Sequence, residues 1–428
     1  MKIAMVVEPA DQGWAHIVTG DPVEAVTAHV LGLSGGLAAR GHDVVVHVRR
    51  TDSDQPDRVP TASGFVLVQL PAGPARPLSD EDRLRAVPEL SRRLADAWGR
   101  ERPDVVHAHG WQAGLATLAA VHLLPDRSTR PMVVQTFHGL ALGRGADGRA
   151  PGRSPSTASP SRRRLEAAIA RGADRLVALS ADEVGRLVTL GATRLDVEVV
   201  PTGVDPGAHQ PARMRADSGT PARLLVVSGL AVEERVDTAV RALPAVPAAE
   251  LLVVGGPPAE GLAHDLDARR LHDLARRCRV ADRVRLLGAV PRRELSALLR
   301  ATDVLVRTDV HEPSGRCVLE AMASGVPVIG PAAGCLLDAV VEGATGTLVP
   351  PGDPGELAIA LRELLSDPVR REGYGLAAAE RARVRYGWDR VAEETERAYA
   401  GPLVRRSATA AAAPAEPAAA GAAVPTGS

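Results

Sequence analysis

Short apolar runs alternate along the chain with longer stretches whose apolar residues recur every three or four positions. Lys2–Val7 is an apolar run closed by Glu8-Pro9, which predicts a buried strand. Val23, Val26, Val30, Leu33 and Leu37 then recur at helical spacing, and Gly41 ends that stripe. Further strands are predicted at Val44–Val48, Phe65–Leu70, Val105–His107, Met132–Thr136, Arg175–Leu179 and Val197–Val200. Helices at Asp80–Arg100, Gln112–Leu124 and Arg162–Arg171 separate them, and Ser180 or Asp182 caps another. The alternation then restarts, with strands at Arg223–Ser228, Glu250–Val254, Arg283–Leu287, Val304–Val306 and Val326–Ile329. Helices are expected at Val236–Leu243, Ala263–Cys278 and Pro291–Arg300, and Pro354–Leu365, Arg370–Arg385 and Trp388–Ala400 close the fold. Two such series predict two doubly wound α/β domains with parallel sheets facing across a cleft.

The expected domains are residues 1–205 and 223–385, joined by a Pro/Gly-rich polar linker at 206–222. Residues 386–402 form a last helix, and the Ala/Pro-rich tail at 403–428 has little to bury and is expected to be disordered. Ala141–Pro160, rich in Gly, Arg, Ser and Pro, reads as a long mobile loop beside the cleft. Hydrophobic residues make up 45% and aromatics only 2%, so the core must be built from Leu, Val and Ala. A net charge of −1 with no basic stripe argues against a nucleic-acid partner. Lys2 is the only lysine, which argues against Schiff-base chemistry. Cys278, Cys317 and Cys335 are an odd set without metal spacing, which suits a reduced cytoplasm. No membrane-length apolar run and no signal peptide are read, so a cytoplasmic location is expected.

The candidate chemistry centres on Asp309–Leu348. Gly315 permits a tight turn just before an apolar helical run near Cys317. The first N–H groups of such a helix lack internal acceptors and carry partial positive charge, so a phosphate fits there. Glu312 lies before the turn and Glu320 about one turn inside the helix. Two carboxylates flanking a phosphate-ready helix start suit a nucleotide sugar, whose hydroxyls lie on both sides of its phosphates.

The stretch Glu-Pro-Ser-Gly-Arg-Cys-Val-Leu-Glu-Ala-Met-Ala-Ser-Gly-Val-Pro-Val, from Glu312, resembles the signature of the retaining GT-B glycosyltransferases of the family 4 type. The resemblance covers Met1 to about Tyr399 and includes Ile3–Glu8, Ala38–Val44, Pro103–His109, Val133–His138 and Val199–Asp205. It extends to the actinobacterial mycothiol-pathway inositol-phosphate N-acetylglucosaminyltransferases. It implies transfer of a sugar, with retention, from a nucleotide diphosphate sugar to a hydroxyl of a small-molecule acceptor. No cofactor or metal is implied. The donor and acceptor are the expected partners, and a homodimer or heterodimer is left open. Glu320 would accept hydrogen bonds from the donor ribose, while Glu312 and His138 would hold and align the reacting sugar. Ser314, Gly315, Arg316, Cys317, Val318 and Leu319 would line the donor site, mainly through backbone N–H groups. Glu8, Glu24, Ala25 and His109 would lie on the acceptor side.

The chain departs from the family at three places. Ser314 and Arg316 replace apolar residues. Glu24-Ala25 stands where the family has a glycine pair. Gly229 and Glu234 stand where the family has the arginine and lysine that grip the diphosphate, with Arg235 one residue away. One preorganised donor to a developing anion is worth roughly 3–4 kcal/mol. Arg235, Arg316, Arg307 or Arg144 would have to supply the missing charge. Otherwise the chain is a catalytically impaired pseudo-glycosyltransferase that binds or regulates. His107 and His109 share one face at strand spacing, but without an evident third ligand they read as structural. Asp52-Ser53-Asp54 has metal-binding spacing but lies in a polar loop and is discounted.

Overall fold

The computed structural model describes residues 1–7, 25–126, 130–141, 160–209, 221–310 and 315–412. The predicted loop at 142–159 and most of the linker, 210–220, lie outside these residues. The first series runs β1 (Lys2–Val7), α1 (Ala25–Ala39), β2 (Asp43–Arg49), β3 (Arg58–Pro60), β4 (Val66–Leu70), α2 (Asp80–Glu101) and β5 (Val105–His109). It continues with α3 (Trp111–Leu123), β6 (Met132–Thr136), α4 (Pro160–Gly172), β7 (Arg175–Ala178), α5 (Ala181–Thr189) and β8 (Val197–Val199). The second begins β9 (Ala222–Val227), α6 (Val236–Ala242), β10 (Ala249–Val254), α7 (Leu266–Arg277), β11 (Val284–Gly288), α8 (Arg292–Arg300) and β12 (Val304–Val306). It ends α9 (Arg316–Ala323), β13 (Val328–Pro331), α10 (Leu336–Ala339), β14 (Gly346–Val349), α11 (Pro354–Ser366), α12 (Pro368–Tyr386) and α13 (Trp388–Ala412).

The first sheet has eight strands in the order β3-β4-β2-β1-β5-β6-β7-β8, and the second has six in the order β11-β10-β9-β12-β13-β14. Every pairing is parallel except β3 with β4. The sequence pattern does not reveal β3, because a three-residue edge strand ending in Pro60 has neither length nor alternation. Period two accounts for burial on both faces. Ile3, Met5 and Val7 pack into one apolar cluster, while Ala4 and Val6 pack into another. Leu224 and Val226 face one cluster of the second sheet and Leu225 the other.

Strand order reverses between β1 and β5 in the first sheet and between β9 and β12 in the second. Open α/β sheets bind ligands at the carboxyl ends of strands flanking such a reversal. The two halves touch directly. Ala181 N–H donates to Asp338 Oδ2 at 2.7 Å, and Val204 N–H donates to the Tyr386 carbonyl at 2.8 Å. Helix α13 then returns to the first sheet and packs on α1, where Trp388 sits over Gly32. Its backbone runs to Ala412, ten residues beyond the expected end at 402. The alanines at 408 and 410–412 explain the extension, because alanine has the strongest intrinsic helix propensity. The expectation of a structureless tail from 403 is corrected to that extent.

Candidate functional site

On the first sheet the site is built from imidazoles. His107 and His109 alternate along β5 and emerge on one side, with ring centroids 4.1 Å apart. His138 follows β6 in a left-handed conformation (φ 57°), strained for a non-glycine residue. His29, on the buried stripe of α1, brings a fourth ring within 4.9 Å of His138 and 5.6 Å of His109. Hydrogen bonds then separate the roles. His107 is held between Tyr399 Oη (2.7 Å) and Thr136 Oγ1 (2.9 Å), which fits the structural reading of that residue. His109 Nδ1 meets His138 Nε2 at 2.9 Å, and His109 Nε2 is buried without a hydrogen-bond partner. His29 Nδ1 meets Thr202 Oγ1 at 2.9 Å. Burial pushes His29 down to about 4, helped by the Arg316 charge, and His107 down to about 3. Burial holds His109 and His138 well below the usual imidazole range. All four rings are therefore neutral at pH 7, and His138 serves there as a hydrogen-bonding group, not as a cation.

On the second sheet Gly315 is the N-cap of α9, with φ 59° and no side-chain cap bond. A Cβ there would lie 3.0 Å from Cys335 Sγ, so both backbone and space require glycine. The side chains of Val318 and Leu319 belong to the core, and the Leu319 N–H already donates to the Gly315 carbonyl at 3.0 Å, so of the two only the Val318 N–H is left for a ligand. Glu320 is buried at 3% exposure. Its Oε1 accepts a hydrogen bond from Arg316 Nε at 2.9 Å and pairs with Arg292 Nη2 from α8. Burial, with Arg292 second, pushes Arg316 down to about 9, and burial also lowers Arg292. The Arg316 charge acts on both His29 and His209, so its guanidinium lies near these two rings.

Gly229 and Glu234 stand together at the carboxyl end of β9. Glu234 Oε2 accepts from Ser228 Oγ at 2.7 Å, and a Cβ on Gly229 would lie 3.4 Å from Glu234 Cγ. Thr308 Oγ1 donates to the Glu234 carbonyl at 2.8 Å. Two of the arginines expected to compensate are committed elsewhere. Arg235 has a left-handed backbone (φ 55°) and lays its guanidinium against Gly352. Arg307 is 3% exposed and donates to the Val227 carbonyl at 2.6 Å, with Asp309 3.8 Å away. Glu312, Ser314, Glu8, Glu24 and Arg144 lie outside the described residues, and Ala25 opens α1 as an exposed residue.

Sequence reasoning missed His29 and Arg292. The available signal for His29 was a polar residue adjoining Val26, Val30 and Leu33 on an otherwise apolar stripe. Arg292 gave none, because its approach to Glu320 depends on how α8 packs beside α9.

Two parallel-sheet Rossmann-like halves define the GT-B glycosyltransferase architecture. Profile matches place the chain in that family: Glycosyltransferase Family 4 matches residues 26–208 and Glycosyl transferases group 1 matches residues 213–381. The D-inositol 3-phosphate glycosyltransferase of Kineococcus radiotolerans is 36% identical over 91% of this chain and 93% of its own length. A glycogen synthase of Mycobacterium tuberculosis is 32% identical over 87% and 89%. Among solved structures, sucrose-phosphate synthase from Thermosynechococcus elongatus has a TM-score of 0.75 at 24% identity, covering 96% of this chain and 100% of that one. The Anabaena protein HepE, in complex with UDP and glucose, has a TM-score of 0.68 at 18% identity, covering 94% and 100%. No helix among the described residues is long and apolar enough to cross a membrane.

Proposed function

We propose that this glycosyltransferase moves a sugar, with retention, from a nucleotide diphosphate sugar to a hydroxyl of a small polyol or polyol phosphate. The observation that carries the reading is the start of α9 at Gly315, without a side-chain cap, with buried Glu320 held by two arginines; neutral His138 lies at the end of the first sheet. The α9 N–H groups receive phosphate, and Glu312 with His138 aligns the sugar. In the step itself the sugar–phosphate bond breaks, and its electron pair stays on the phosphate oxygen. The acceptor oxygen bonds the same face of the sugar carbon, and its proton passes to the departing phosphate. Arg316, with Arg292 beside it, supplies the positive charge that Gly229 and Glu234 do not. The inositol phosphate acceptor named for the Kineococcus relative makes that compound the first acceptor to assay.

Calorimetric titration with a panel of nucleotide sugars tests the binding half, and lack of affinity for all of them would sink it. Transfer to inositol phosphate and other polyols tests the chemistry. Removing one preorganised cation lowers turnover by about 10²–10³, so Arg316→Gln should show that loss.

A second reading is favoured by the carboxylate of Glu234 at the phosphate position. A carboxylate about 4 Å from a phosphate charge repels it by on the order of 4 kcal/mol at an effective dielectric of 20. On this reading the protein binds donor and regulates a partner without turnover. The double variant Gly229→Arg, Glu234→Lys separates the two. A gain of about 10² or more in transfer favours the impaired protein, whereas unchanged or reduced transfer shows that Arg316 and Arg292 already serve.

A further inference from the structure

We propose that His29, His109 and His138 form a binding site for one divalent cation of the zinc class. Each offers a ring nitrogen, and the three nitrogens lie within 4.8 Å of one another. Zinc bound by imidazoles at about 2.0–2.1 Å in a tetrahedral arrangement would bring them to roughly 3.4 Å apart, so closure takes a shift of about 1 Å. The ligands come from three separate elements: α1, the end of β5 and the turn after β6.

Four observations favour a ligand role. His109 Nε2 is a buried ring nitrogen without a hydrogen-bond partner. His29 is oriented from outside the cluster by Thr202 Oγ1 on Nδ1, the arrangement that fixes metal-bound imidazoles and leaves Nε2 free to ligate. The 2.9 Å hydrogen bond between His109 Nδ1 and His138 Nε2 holds the two rings together and leaves His109 Nε2 to ligate. His138 is strained at φ 57°, so the backbone holds this ring in the cluster at a cost. Two of the three rings are buried and the third, His138, is half-buried, so an ion would be reached from the cleft side. Three protein nitrogens leave a fourth coordination position for water or a ligand hydroxyl. An all-nitrogen donor set selects zinc, cobalt, nickel or copper over magnesium and calcium, which require oxygen.

Arg316 opposes the ion, because its charge already acts on His29. This gives a test that a merely structural cluster would fail. Full-length protein, stripped with chelator and dialysed, is titrated with zinc against a chromophoric chelator. One equivalent should bind, and cobalt should give the intense visible absorption of a tetrahedral site. His29→Gln and His109→Gln should each weaken binding by at least about tenfold, while His272→Gln, on the exposed face of α7, should leave it unchanged. Arg316→Gln should tighten it. Melting curves in chelator establish that each variant folds. Absence of stoichiometric binding, or binding that survives loss of both His29 and His109, would overturn the proposal. If the site is real, zinc should also suppress sugar transfer in proportion to occupancy, because it takes the lone pair of His138. Failure of the sugar-transfer reading leaves the zinc titration fully interpretable.

Discussion

At the scale of single residues, the start of α9, the proposed donor site, depends on Gly315 for two separate reasons. Its φ of 59° is costly for any residue with a Cβ, and that Cβ would press against Cys335 Sγ at 3.0 Å. Gly315→Ala should therefore cost about 1–2 kcal/mol of stability, read from denaturant midpoints. It should also weaken nucleotide-sugar binding, because the α9 N–H groups are re-aimed. A stable variant with native affinity would show that this helix start does not hold the phosphates. Glu320 sets a second constraint. With two half-buried guanidinium groups on one of its oxygens, Glu320→Ala leaves cations without their counter-charge. Breaking a buried pair in this way typically costs about 3–5 kcal/mol; these arginines keep partial solvent access, so about 1–2 kcal/mol is expected. Loss of the proposed ribose contact should add a drop in donor affinity that titration would resolve from the stability change.

At the scale of elements, α13 ties the second half to the first. The indole of Trp388 fills space that glycine leaves: a Cβ on Gly32 would lie 2.1 Å from Cε2, and one on Gly203 2.4 Å from Cε3. Gly32→Ala should displace the indole and cost about 1–3 kcal/mol, and it should expose α13 to limited proteolysis. An undisturbed cleavage pattern would count against this strap. Most elements could be read from the sequence, because sheets buried on both faces give continuous Val/Ile/Leu runs such as Ile3–Val7 and Leu224–Val227. The edge strand β3 and the short pair α10 and β14 were not legible; each is three or four residues long and held by its neighbours' hydrogen bonds. The helix start at Gly315 was legible because glycine before an apolar helical run is a local signal. The imidazole cluster and the arginine clamp were not, since each joins residues from distant segments and depends on packing that no local pattern encodes.

At the scale of the whole molecule, the buried histidines fix how stability responds to acid. Folded pKa values lowered to about 4 for His29 and about 3 for His107, and well below normal for His109 and His138, lie under the ordinary value of 6.5. For a base depressed in this way the unfolded chain binds protons first, so stability is fully present above pH 6.5 and is lost as pH falls through that value. His29 and His107 each cost about 2 kcal/mol by pH 5, at 1.36 kcal/mol per unit, and His109 and His138 act in the same direction. Glu183 acts in the opposite sense. Burial raises its carboxyl to about 7, against a weaker lowering by the Leu179 N–H, so its neutral form favours the fold below pH 4.5 and that contribution is lost as pH rises to 7. Lowering pH from 7 to 5 therefore recovers about 2 kcal/mol from this one group. Four rings outweigh it. In chelator-containing buffer the stability should fall by several kcal/mol between pH 7 and 5, and proton uptake on unfolding should exceed one near pH 5.5. Glu183→Gln should steepen that fall by removing the opposing group, whereas His107→Gln, which keeps a polar side chain between Tyr399 and Thr136, should make it shallower. A stability profile flat across this range would mean that the rings are hydrated and titrate normally, and the neutral, enclosed imidazole wall on which the sugar-aligning role of His138 depends would fall with it.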